Sequence, residues 1–190
     1  IVFDRAELPL EDNIVETKQC VAYARSVNPD ILVEGEMGYI GKSSKLLDEL
    51  PEGVSVTEEF MTQAEEAKKF VLQTGVDLFS PSVGNIHGML KHSPNPKLSI
   101  DRIKEIRQAV GIPLVLHGGS GITDEDFRQA IKAGISMIHI NTELRVAYRD
   151  ALKQSLQAMP DEIAPYKLLK QAIQAMKEVV SRRLKLFAGI

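Results

Sequence analysis

Three of the four histidines fall in short segments whose composition suits catalysis. His87 closes the run Ser82-Val83-Gly84-Asn85-Ile86 and is followed by Gly88; His117 opens His117-Gly118-Gly119-Ser120-Gly121; His139 opens His139-Ile140-Asn141-Thr142. Acids stand at the ends of two other apolar runs, Asp4 and the pair Glu34 and Glu36. Histidines and carboxylates gathered at one rim make the donor set of a zinc or related metal site. The glycines after His87 and His117 let backbone or ligand approach closely. Gly118 to Gly121, and Asn141-Thr142 ahead of a helix, leave N–H groups free to cradle an anion. A lone strand-end histidine is more often structural, and a glycine pair is more often a plain turn. Their coincidence argues for metal-assisted chemistry on a small phosphorylated substrate.

Other reactive residues read more blandly. Cys20 lies mid-helix beside no base and reads as an inert thiol, and His92 sits solvated in a Pro-rich loop. The six methionines are spaced as core residues and call for no cofactor. Arg182-Arg183-Lys185 reads as a solvated helix face, or else as a contact for an anionic substrate or a second subunit.

The elements that must position these groups alternate in type. β-rich runs are predicted at Ile1 to Asp4, Ile31 to Glu34, Val76 to Phe79, Pro113 to Leu116 and Ile135 to Ile140. Between them apolar residues recur at helical spacing: Ile14, Thr17, Val21, Ala24; Phe60, Ala64, Ala67, Val71; Ile100, Ile103, Ile106, Val110. Thr57 and Thr123, each followed by two acids, are predicted helix caps. Gly75, Gly111 and Gly134 mark helix ends. The tail from Tyr166 carries Leu168, Ala172, Ala175 and Val179 on one face and predicts a last helix. Residues 41–56 form a long polar loop, the place for a lid or binding loop. Such alternation means a parallel sheet with right-handed crossovers, either doubly wound or part of a barrel. A G-x-G-x-x-G dinucleotide fingerprint follows none of the strands. In barrels the strands' carboxyl ends carry the active site, with phosphate after the last two strands.

The chain has 190 residues, 44% apolar and 26% charged, which suits one domain over 1–190. A net charge of −3 offers no basic surface for nucleic acid. No apolar run approaches the roughly 20 residues of a membrane span. A single cysteine excludes an internal disulfide framework and suits a cytoplasmic location. The opening Ile1-Val2-Phe3-Asp4, without methionine, reads as a strand already under way. About 80–100 further residues are expected upstream, since five strands make five-eighths of a barrel of roughly 250 residues. The 190 residues alone are expected to be inactive and poorly soluble.

Five stretches resemble the class II, metal-dependent aldolases of fructose and tagatose bisphosphate. They are GNIHGMLK at 84–91, PLVLHGGSGI at 113–122, GISMIHINTELR at 134–145, VEGEMG at 33–38 and DRAELPLEDN at 4–13. The resemblance implies a (β/α)8 TIM barrel of which this chain covers about strands 4 to 8. It implies zinc on His87 and His117, with Asp4 and Glu36 at a second or alternative metal position. A monovalent cation would sit by Ser82 to Gly84. Gly88, Gly118, Gly119 and Ser120 match contacts to the triose phosphate, and His139, Ile140, Asn141 and Thr142 match the last strand's substrate segment. Zinc would act as a Lewis acid on the ketone of dihydroxyacetone phosphate.

Three features depart from the family. The H-x-D-H motif with a third zinc histidine and the catalytic aspartate is absent, which places the catalytic acid upstream. The loop at 41–53 lacks the usual Gly-Gly-acid signature and leaves Asp48, Glu49 and Glu52 as candidates for the proton-abstracting acid. His139 stands where asparagine is usual. The expected activity is reversible cleavage of fructose 1,6-bisphosphate to dihydroxyacetone phosphate and glyceraldehyde 3-phosphate, in a dimer or tetramer. Tagatose 1,6-bisphosphate is the alternative substrate, and a non-catalytic sugar-phosphate-binding barrel is the rival reading.

Overall fold

The computed structural model describes residues 1–42 and 44–190. Its strands are β1 (Val2–Phe3), β2 (Glu34–Met37), β3 (Leu46–Leu47), β4 (Leu78–Pro81), β5 (Met89–Leu90), β6 (Leu114–Leu116) and β7 (Ile135–Ile138). Its helices are α1 (Leu10–Val27), α2 (Ala64–Thr74), α3 (Ile100–Val110), α4 (Asp124–Ala133), α5 (Thr142–Ala158) and α6 (Pro165–Ala188). Five strands form one parallel sheet in the order β1-β2-β4-β6-β7. Each strand of this sheet lies beside the sheet strand that precedes it in the chain, and α1 packs on α2, α2 on α3 and α3 on α4. A doubly wound sheet reverses direction and divides its helices between two faces. This one does neither. It is an arc of a singly wound α/β barrel.

The two faces of the sheet differ in chemistry because neighbouring side chains on a strand point opposite ways. Leu114 and Leu116 join the apolar core under the helices, with Phe79, Phe70, Ile103, Ile106 and Phe127. Val115 and then His117 face the other way, into the arc. On β2, Gly35 faces the helices: a Cβ there would lie 2.8 Å from the ring of Phe70, so only glycine admits that ring. Glu34 and Glu36 therefore both point inward, and both are buried.

This polarity explains where the predicted strands slipped. β2 lies at Glu34–Met37 rather than Ile31 to Glu34, and β4 at Leu78–Pro81 rather than Val76 to Phe79. In each, polar residues on the inward face (Glu34 and Glu36, then Ser80) interrupt the apolar signal within the ladder itself. β1, β6 and β7 begin or end one to two residues inside their predicted runs.

α2 starts at Ala64 after Gln63, not at Thr57. Thr62 is pinned between strand ends, donating to Met37 O, accepting from Ser82 N–H and donating its own N–H to Ser82 O. The chain is held extended there, and Phe60 remains exposed. Thr123 does cap α4, its hydroxyl accepting from Asp126 N–H at 3.1 Å. The last helix forms as expected, with Ala172 buried on the predicted face. Arg183 departs from the solvated face predicted for it: it is buried, for reasons given below. The long polar loop is partly ordered by β3, which pairs in parallel with β5; position 43 of that loop lies outside the described residues.

Among the described residues no helix is long and apolar enough to cross a membrane.

Candidate functional site

The inward ends of β2, β6 and β7 meet at one point. His117 approaches Glu34 through Nε2 at 2.6 Å and Glu36 through Nδ1 at 3.3 Å. The ring of His139 stacks on it, centroids 4.3 Å apart and tilted 29°. His87 stands 6.1 Å from His117, its Nδ1 fixed against Gly41 O at 2.5 Å. Its backbone is held by the same loop, His87 N–H donating to Ile40 O at 2.8 Å. Glu34, His117 and His139 each offer a donor atom within 4.8 Å of the other two.

Burial opposes charge on His117, but the two carboxylates outweigh it and push its pKa up to about 9. His139 is shifted down, first by burial and then by the positive charge on His117. The close pair of His117 Nε2 and Glu34 Oε1 does not have the shape of a hydrogen bond, and both buried atoms lack a satisfied partner. Two orphaned donors aimed at one point, with an imidazole beside them, fit a metal ion.

Beside this cluster lies the turn Gly118 to Gly121. Gly118 has φ +64°, and a Cβ on it would sit 2.2 Å from Ile86 O, so the two loops touch backbone to backbone. Ser120 Oγ accepts the N–H groups of Asn141 (3.3 Å) and Glu143 (3.2 Å), which ties the turn to the start of α5. Glu143 in turn accepts from Gly121 N–H at 3.1 Å and is gripped by Arg183 at 2.6 and 3.0 Å. Arg183 also reaches Asp124 at 2.7 Å and lies over the Phe127 ring. Asn95 binds the other side: its amide donates to Gly88 O and Ser120 O and accepts from Leu90 N–H. Asn85 donates to His117 O at 3.0 Å.

These contacts enclose a cavity of about 190 Å³. His87 and Gly88 form one wall, His117 to Ser120 the floor, and His139, Asn141 and Thr142 the far wall, with Ser44 at the mouth. The larger concavities lie along α5 and α6, away from every one of these groups. Nearly all the residues predicted to bind substrate thus line one space. Ile140 does not; it packs against the apolar core.

The other predicted metal and acid positions are dispersed. Glu36 reaches His117 but not the three-donor cluster, whereas Asp4 is exposed and accepts from Ala6 N–H at 2.9 Å. Asp48 is exposed and engaged by Lys91 at 2.8 Å, and Glu49 and Glu52 are exposed. Cys20 is half-buried within α1, and His92 is solvated. Sequence reasoning missed the roles of Asn95, Glu143 and Arg183. A buried arginine inside a basic run has no local signature, and an asparagine between prolines reads as a turn residue.

The fructose-bisphosphate aldolase class-II profile matches residues 1–189. The 6-phospho-5-dehydro-2-deoxy-D-gluconate aldolase of Shouchella clausii is 34% identical over 189 residues, covering 100% of this chain and 60% of its own. The crystal structure of the YdjI aldolase from Escherichia coli superposes with a TM-score of 0.71 at 31% identity, over 98% of this chain and 58% of that one. A Coccidioides immitis structure, titled as a candidate fructose-1,6-biphosphate aldolase, gives 0.78 at 26%, over 99% and 62%. The chain thus spans about 60% of the length of the relatives it matches.

Proposed function

Because this chain belongs to the class-II fructose-bisphosphate aldolase family, we propose that its cavity serves the zinc-dependent, reversible aldol cleavage of a phosphorylated ketose. The chain would form about strands 4 to 8 of the barrel. The observation that carries this reading is the junction of the histidine–glutamate cluster with the glycine turn in one small cavity. An ion on the histidines supplies Lewis acidity toward a ketone and stabilises negative charge on its oxygen.

The chain's own groups do the rest. His117 and His87 would hold the ion, with Glu36 orienting His117 through Nδ1. The N–H groups of Gly118 to Ser120, with the start of α5 behind them, would receive the phosphate. Gly88 would contact the triose phosphate through its backbone, and Asn141 and Thr142 would face the sugar hydroxyls. Asp4 and Glu36 would serve a second metal position, and the loop at Ser82 to Gly84 a monovalent cation. The proton at the C4 hydroxyl would be exchanged by an acid upstream, or by Asp48, Glu49 or Glu52 after the loop moves. The working protein would be a cytoplasmic dimer or tetramer.

Fructose 1,6-bisphosphate is the first substrate to test and tagatose 1,6-bisphosphate the alternative. The name of the Shouchella clausii relative adds 6-phospho-5-dehydro-2-deoxy-D-gluconate to the panel. Retro-aldol cleavage of each releases dihydroxyacetone phosphate, so one coupled assay serves all three. For this chain joined to the residues expected upstream of it, the expected result is triose phosphate release from at least one sugar, abolished by chelator and restored by zinc. Metal and sugar phosphate binding without release from any of the three would instead support the non-catalytic binding barrel.

A further inference from the structure

Arg183 lies outside the cavity, yet one residue connects it to the glycine turn. Glu143 clasps that turn twice: its N–H donates to Ser120 Oγ at 3.2 Å, and its Oε1 accepts from Gly121 N–H at 3.1 Å. Arg183 holds the same carboxylate with two arms of its fork, Nη2 on Oε1 at 2.6 Å and Nε on Oε2 at 3.0 Å. The third arm reaches Asp124 at 2.7 Å, and the guanidinium lies over the Phe127 ring, 4.9 Å from its centre. Glu143 and Arg183 are both buried. We infer that Arg183 is a positioning residue for the phosphate group of the substrate: it neutralises Glu143 and holds it in place behind Ser120 and Gly121. This rests on the reading above only in that a phosphate enters the turn.

A buried ion pair adds little stability over apolar residues of the same shape, so the geometry it fixes is the better account of its presence. Glu143 stands in the first turn of α5, next to Thr142 in the cavity wall. A bare carboxylate there would repel a phosphate in the turn, and the guanidinium cancels that charge. Arg182 is no substitute: it is exposed and 3.8 Å from Glu143, where water screens it. A lysine at residue 183 would keep the charge but could not span both carboxylate oxygens, as the planar fork of arginine does.

Inorganic phosphate is the probe, its dissociation constant read by phosphorus NMR. Zinc affinity, measured separately by competition with a coloured chelator, reports whether the rest of the cavity is intact. The protein is this chain joined to the residues expected upstream of it, as wild type, Arg183→Met, Arg183→Lys and Arg183→Met with Glu143→Gln. Circular dichroism establishes that each is folded. Arg183→Met is expected to weaken phosphate binding at least about tenfold with zinc affinity unchanged, within the roughly hundredfold that misplacing a group by about 1 Å can cost. Arg183→Lys should lose part of that affinity, and it tests the same contact if Arg183→Met does not fold. The double variant should recover part of the loss, because no bare carboxylate remains. Wild-type phosphate affinity in either folded single variant overturns the inference. So does an equal loss of zinc affinity, a double variant no better than Arg183→Met, or a wild-type protein that binds no phosphate. Failure of the aldolase reading looks different: phosphate binding depends on Arg183 although no triose phosphate is released from any of the sugars.

Discussion

Asn95 joins the two loops that carry His87 and the glycine turn, and its side chain makes three hydrogen bonds to do so, two of them buried and one part-buried. Asn95→Ala should leave two carbonyls and one N–H without partners. A loss of about 2–3 kcal/mol is expected, at the scale of unsatisfied buried groups; urea unfolding would measure it. The Michaelis constant for a phosphorylated substrate should rise more than the turnover number falls.

His117 makes a second expectation at the scale of one residue. Its pKa is raised in the folded, metal-free protein to about 9, against about 6.5 when unfolded. The stabilisation from its charged form is therefore full below about pH 6.5 and disappears as pH rises through 9. With chelator present, the melting temperature should fall between those values, and Glu34→Gln should flatten the slope. A flat profile in the wild-type protein would show that the carboxylates do not hold His117 charged. His87 and His117 were legible in the sequence because each adjoins a glycine after an apolar run, and His139 because it closes one. Asn95 was not, because its partners are backbone atoms of two separate loops, at Gly88 and Leu90 and at Ser120.

At the scale of elements, α6 is fastened to the start of α5 by Arg183, buried with Glu143 and reaching Asp124 on α4. Arg183→Met strands the Glu143 carboxylate in the interior and should cost about 3–5 kcal/mol, as broken buried pairs do. Adding Glu143→Gln should recover part of that loss; a double variant no better than the single would refute the pairing. Thr123→Ala at the start of α4 should cost about 1 kcal/mol. The helices were legible from their 3.6-residue periodicity because only one face of each is buried. β2 and β4 were displaced by up to three residues because their inward faces are polar, and an apolar search sees only the outward half of such a strand. Residues 57–63 read as helix from local spacing, and the anchoring of Thr62 to both β2 and β4 overrides it.

At the scale of the whole molecule, an ion on His87 and His117 would tie the loop after β4 to the end of β6. A ligand that binds the folded state alone stabilises it by mass action, by about 2.7 kcal/mol at a hundredfold excess over its dissociation constant. Zinc should therefore raise the melting temperature of the stripped protein, and His117→Asn should blunt that rise. Alternation made a parallel α/β sheet legible but left doubly wound and barrel forms open until the family resemblance favoured the barrel. The single winding direction became visible only in the strand order β1-β2-β4-β6-β7.

That order also bears on how the chain acquires its shape in time. In the main sheet each ladder joins a strand to the sheet strand that precedes it in the chain, so no pairing there skips a strand of that sheet. Each such closure is shorter than the reach across the whole sheet, so the sheet can grow stepwise from either side. The cavity has no such shortcut, since Glu34 and His139 meet only after every intervening unit has docked. Amide protection during refolding should therefore spread through the ladders first and reach the turn at Gly118 to Gly121 last, leaving the reactive pocket as the final part of the molecule to close.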